Sequence, residues 1–129
     1  MRTIADIMTR ELVTVDEGAS IADAAVRMAE RHVGAALVFT GERLAGILTE
    51  RDVLRAVAEG RVGSSTAAEL MTRHPETVEP GESTSTAATL MIHGGFRHLP
   101  VVDGGRVVGI VSIRDLMRVV LDDQAPRGV

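Results

Sequence analysis

The sequence predicts a mixed α/β protein made of two copies of one β-α-β-β-α repeat. Three observations carry this. Met8-Thr9-Arg10 returns as Met71-Thr72-Arg73, and the same 63-residue offset aligns the rest of the chain without a gap. It pairs Thr14-Val15 with Thr77-Val78, Ala24-Ala25 with Ala87-Ala88, Met28 with Met91, Val38 with Val101, Gly46-Ile47 with Gly109-Ile110 and Arg51-Asp52 with Arg114-Asp115. Within each copy the apolar pattern alternates between short β-branched runs and helical stripes, so neither copy buries its apolar face alone. The composition is that of a globular protein, 45% hydrophobic and 25% charged over 129 residues, and its only aromatics are Phe39 and Phe96, so the core must be aliphatic.

The elements of the first copy follow in order. Thr3 to Met8 reads as a short helical lead-in, and Leu12 to Val15 as a strand. Ser20 is an N-cap with Asp23 as its capping-box partner. Ile21, Ala24, Ala25, Met28 and Ala29 then form the stripe of an amphipathic helix. Ala35 to Phe39 and Leu44 to Leu48 are strands of a hairpin turned by Thr40-Gly41-Glu42. Glu50 to Ala58 is the closing helix, with Val53, Leu54, Val57 and Ala58 expected inward. The second copy repeats this with Thr77-Val78, Ser83 to Ile92, Leu99 to Val102, the turn Asp103-Gly104-Gly105, Val107 to Val111, and Ile113 to Leu121. Glu59 to Thr66 is Gly- and Ser-rich. The division expected is therefore 1–60 for the first copy, 61–67 for a linker, 68–122 for the second copy and 123–129 for a flexible tail.

Several function classes are disfavoured. The net charge is −4, against a general nucleic-acid binder, although all 14 basic residues are Arg and a local basic patch is compatible with the sequence. The absence of Cys removes disulfides, thiol nucleophiles and thiolate metal sites. His32, His74, His93 and His98 show no metal-ligand spacing. No apolar run is long enough to span a bilayer and no leader is evident, so the expectation is a cytoplasmic protein without a membrane partner. No nucleophile, base and orienting group assemble, so the chain is not expected to be an enzyme.

The chemistry lies where each copy's last strand runs into its last helix, Gly46-Ile47-Leu48-Thr49-Glu50-Arg51-Asp52 and Gly109-Ile110-Val111-Ser112-Ile113-Arg114-Asp115. A hydroxyl and a carboxylate at a helix N-terminus suit a ribose and a phosphate. The same Thr49-x-x-Asp52 and Ser112-x-x-Asp115 spacing also fits a capping box, and both readings stand.

These endings, the Met-Thr openings and the Leu99-Pro100-Val101-Val102-Asp103 strand resemble tandem CBS (cystathionine β-synthase type) domains, over Thr3 to Leu121, and the chain resembles a stand-alone CBS pair. The resemblance implies two repeats packed with pseudo-two-fold symmetry into one module that commonly homodimerises. It implies adenosine-containing ligands (AMP, ADP, ATP, S-adenosylmethionine or NAD(H)) in clefts between repeats, no other cofactor, and an unidentified protein effector. By the same resemblance Asp52 and Asp115 contact ribose, Thr49, Ser112 and the basic Arg97-His98 meet phosphate, and Thr14, Thr77, Leu99 and Pro100 line the adenine end. Arg97-His98 is equally an exposed edge pair, and Thr14 and Thr77 equally plain strand residues. The first copy has Gly34-Ala35 in place of Arg97-His98, and Leu37 and Thr40 in place of Pro100 and Asp103, so unequal sites are expected, with the stronger beside Asp115. The leading hypothesis is a regulatory small-molecule sensor of adenosine-containing ligands, and the alternative is a ligand-independent dimerisation or interaction module. Val26, Leu54, Leu90 and Met117 are the residues expected on a dimer face.

Overall fold

The computed structural model describes residues 2–124. In chain order the elements are α1 (Ile4–Ile7), β1 (Thr14–Asp16), α2 (Ile21–Arg31), β2 (Ala35–Thr40), β3 (Arg43–Thr49), α3 (Glu50–Ala58), α4 (Ala67–Leu70), β4 (Thr72–Arg73), α5 (Thr84–Gly94), β5 (His98–Asp103), β6 (Arg106–Ser112) and α6 (Ile113–Gln124). This is the mixed α/β class expected from the repeat.

The chain packs as two compact units whose limits differ from the sequence repeats. A continuous unit spans Leu12–Pro75, and a composite unit joins the residues up to Glu11 to those from Glu76 onward. In the continuous unit the sheet order is β1-β2-β3-β4, with β1 parallel to β2 and the other pairs antiparallel. The composite unit repeats this layout in reduced form: β5 pairs with β6, Val78 bridges Val101 in parallel, and Thr9 bridges Ile110 antiparallel. Each Met-Thr-Arg segment thus pairs with the Gly-Ile strand of the other sequence copy. The close approach explains the glycines. A Cβ on Gly46 would stand 2.6 Å from both Met71 Sδ and the Thr72 carbonyl oxygen, and one on Gly109 2.6 Å from Met8 Sδ.

Each unit has its own aliphatic core. In the continuous unit it includes Val15, Ile21, Ala24, Val38, Leu48 and Ala67, and in the composite unit Val78, Ala87, Met91, Leu99, Val101 and Val111. Met28 and Met91 are both buried, as their helix stripes require.

The caps repeat with the same offset. Thr3 and Asp6 open α1, and Thr66 and Glu69 open α4, each as a reciprocal capping box. The Thr3 backbone N–H and hydroxyl hold the Asp6 carboxyl below the usual carboxylate range. Ser20 accepts from the Asp23 N–H at 3.0 Å, one arm of the box expected there. The left-handed residue ending α2 is His32, and the matching residue ending α5 is Gly95.

Four local expectations are corrected. The first strand begins at Thr14 instead of Leu12. Its counterpart Thr77-Val78 is reduced to one bridging residue, because Val78 alone makes ladder bonds to β5, from its N–H to the Pro100 carbonyl and to its own carbonyl from the Val102 N–H. On α3, Asp52 and Ala56 are buried and Val53 half-buried, whereas Leu54, Val57 and Ala58 face solvent. The carboxylate turns inward to cap the helix, which rotates the buried stripe by about one residue, or about 100°. Finally, α6 continues to Gln124, past the expected end at Leu121. Of the expected tail at 123–129, residues 125–129 lie outside the described residues. The segment read as a linker is hydrogen-bonded: the N–H groups of Ser64 and Ser65 both donate to the Arg61 carbonyl, and Ser65 is buried.

Candidate functional site

In each unit a strand hands over to a helix at a hydroxyl-carboxylate pair. In the composite unit, Ser112 ends β6 and Asp115 sits in the first turn of α6. The Ser112 N–H donates to Asp115 Oδ2 at 2.8 Å, and the Asp115 N–H donates to Ser112 Oγ at 3.2 Å. His98, half-buried at the start of β5, is the cross-strand partner of Ser112. The Arg97 carbonyl accepts from the Ile113 N–H at 2.8 Å. Arg97, His98, Ser112 and Asp115 therefore converge where α6 begins. Pro100 lies two residues along β5 from His98, on the same strand face, and accepts from the Val78 N–H beside Thr77. Leu99 alternates to the other face, where it belongs to the hydrophobic core, so its side chain is a packing residue.

Two groups in this cluster have no partner among the described residues. The Arg97 side chain is exposed and has no hydrogen-bond or ion-pair partner among the described residues, and no described residue donates to Asp115 Oδ1.

The continuous unit has the same backbone scaffold and different side-chain occupancy. The Gly34 carbonyl accepts from the Glu50 N–H at 3.0 Å, and Ala35 pairs with Thr49, as Arg97 and His98 do with their partners. Asp52 is buried. Its Oδ2 accepts from the Thr49 N–H at 2.9 Å and the Thr49 hydroxyl at 3.1 Å, and its Oδ1 accepts from Arg55 Nη2 at 2.6 Å. Thr14 is half-buried on the edge strand β1, and its carbonyl accepts from Arg27 Nη1. Gly34 holds the position that matches Arg97.

Arg27 and Arg55 are absent from the residues expected from sequence. Asp52-x-x-Arg55 is a pairing distance on a helix, but Asp115-x-x-Arg118 has the same spacing and makes no pair. Arg27 reaches back across 13 residues, which no local pattern announces.

The family model for the CBS domain matches residues 4–59 and 67–122. The chain belongs to the CBS domain family. The CBS domain-containing protein YhcV of Bacillus subtilis is 38% identical over 117 residues, covering 90% of this chain and 84% of YhcV. A solved CBS-domain protein from Burkholderia ambifaria MC40-6 has 38% identity and a TM-score of 0.90, covering 99% of this chain and all of its own. The CBS pair of protein MJ0100, in complex with 5′-methylthioadenosine and S-adenosyl-L-methionine, has 28% identity and a TM-score of 0.89, covering 96% of this chain and 99% of its own. PAE2072 from Pyrobaculum aerophilum, complexed with AMP, has 31% identity and a TM-score of 0.85, covering 95% and 97%. No helix of this CBS pair is long and apolar enough, among the described residues, to cross a membrane.

Proposed function

We propose that this CBS pair is a regulatory sensor, not an enzyme, that binds one adenine nucleotide per chain beside Asp115 and passes the bound state to a protein partner. The observation that carries this reading is the pair of unclaimed groups at the start of α6, the Arg97 guanidinium and Asp115 Oδ1. A carboxylate oxygen accepts from a ribose hydroxyl. A guanidinium and the first N–H groups of α6 meet a phosphate. Ligands in the neighbouring solved structures, AMP and two methylthioadenosine-type molecules, support the adenosine class. Arg97 favours the phosphate-bearing members of that class over S-adenosylmethionine, because the sulfonium is itself cationic. Capping and ribose contact coexist here, since the cap uses Oδ2 alone.

The test compares AMP with adenosine on Arg97→Ala by titration calorimetry. Charge-assisted hydrogen bonds contribute about 1.5–3 kcal/mol, so AMP affinity should fall about tenfold to a hundredfold while adenosine affinity changes little. Equal losses for both would overturn the phosphate assignment.

A second copy of the chain belongs to the same proposal. Leu54 and Val57 on α3 and Met117 and Val120 on α6 are large exposed apolar residues, and Val26 is exposed on α2. Leu90, expected on such a face, instead packs against the core of the composite unit.

A further inference from the structure

We infer that Arg55 is a specificity-determining residue that closes the continuous unit to nucleotide by serving as an internal occupant of Asp52. This rests on the proposed ribose role of the matching Asp115.

The two carboxylates are equivalent by sequence offset and by capping, and they differ in their second oxygen. Asp115 Oδ1 takes no hydrogen bond from a described residue, whereas Asp52 Oδ1 is held by Arg55 Nη2 at 2.6 Å. Asp52 Oδ2 already accepts from both the N–H and the hydroxyl of Thr49. A ribose hydroxyl could reach this carboxylate only by displacing a charge-assisted bond. The second repeat carries Arg118 at the position of Arg55, yet Arg118 makes no ion pair among the described residues. The guanidinium therefore sets the difference by where it folds, not by its presence.

A second arginine acts in the same sense. Arg27 donates to the carbonyl of Thr14 on the edge of β1, and the matching position in the second repeat is Leu90, which has no donor to offer Thr77. Arginines thus occupy two of the polar groups that the continuous unit would otherwise offer an adenosine, the Thr14 carbonyl and Asp52 Oδ1. The missing counterpart of Arg97 weakens this site for phosphate, and Arg55 closes it to ribose.

AMP is titrated calorimetrically into the wild type, Arg55→Met, Asp115→Ala and the double variant, each checked by thermal melting. Methionine keeps an apolar stem, and the buried Asp52 carboxylate keeps its two bonds from Thr49, so the variant should lose stability and still fold, which the melts check. The expected stoichiometries are one AMP per chain for the wild type and two for Arg55→Met, while the double variant keeps the gained site and is weakened only at the site beside Asp115. Asp115→Ala alone should bind AMP about tenfold to a hundredfold more weakly than the wild type. Folded Arg55→Met that still binds one AMP, or wild type that already binds two, would overturn the role of Arg55 and leave the sensor reading intact. Wild type that binds none overturns the sensor reading. In that case one AMP gained by Arg55→Met would still support Arg55 as the closing residue, and none gained would overturn both.

Discussion

Asp115→Asn separates cap from ligand contact more cleanly than truncation does. The asparagine carbonyl can take over the bond from the Ser112 N–H, now 2.8 Å from Oδ2, so the start of α6 should keep its cap. What replaces Oδ1 is a neutral amide NH2, which cannot accept from a ribose hydroxyl and carries no charge. Losing a charged acceptor costs about 1.5–3 kcal/mol, or about tenfold to a hundredfold in AMP affinity. Asp115→Ala should lose the same affinity and the cap as well, at about 0.5–2 kcal/mol of stability. For a chain of this size that lowers the melting temperature by about 2–8 °C. Calorimetry with AMP and thermal melts on the two variants give four numbers. The expected pattern is equal affinity losses with a melting shift confined to alanine. Wild-type affinity in Asp115→Asn would refute the ribose contact and leave Asp115 as a helix cap only.

Two further predictions concern packing and assembly. Gly46→Ala should destabilise by about 1–3 kcal/mol, the scale of overpacking, and by more than Gly109→Ala. The reason is that the new Cβ would meet a backbone carbonyl at 2.6 Å in the first case and 3.0 Å in the second. Urea midpoints that fall equally, or not at all, would contradict this. Leu54→Glu combined with Met117→Glu should convert a dimer to a monomer in light scattering, because each places a charge on an exposed apolar helix position; a monomeric mass for the wild type at high concentration would refute self-association.

The sequence by itself determined the longer helices, the two hairpins, their order and their caps, but not β4 or the single bridge at Val78. These depend on residues within about four positions of one another: Thr49 with Asp52, Ser112 with Asp115, Thr3 with Asp6, and the stripe from Ile21 to Met28. The 63-residue offset doubles each such signal, which is why the family was legible from the chain alone. Arg97, His98, Ser112 and Asp115 were legible as one group because a hairpin register links β5 to β6 across a short turn. What sequence could not decide was the choice between identical local options. Both Met-Thr-Arg segments read alike, yet each pairs with the strand of the other copy, through contacts far apart in the chain. Arg55 and Arg118 share one spacing to a carboxylate, and only Arg55 folds onto it. The inward face of α3 followed the buried Asp52 instead of the run of leucine and valine, because a capping carboxylate fixes the rotation of a short helix at its first turn. Partner choice, helix rotation and the closing of one carboxylate are set by what the packed chain brings within hydrogen-bond distance, and only the tertiary structure holds that information.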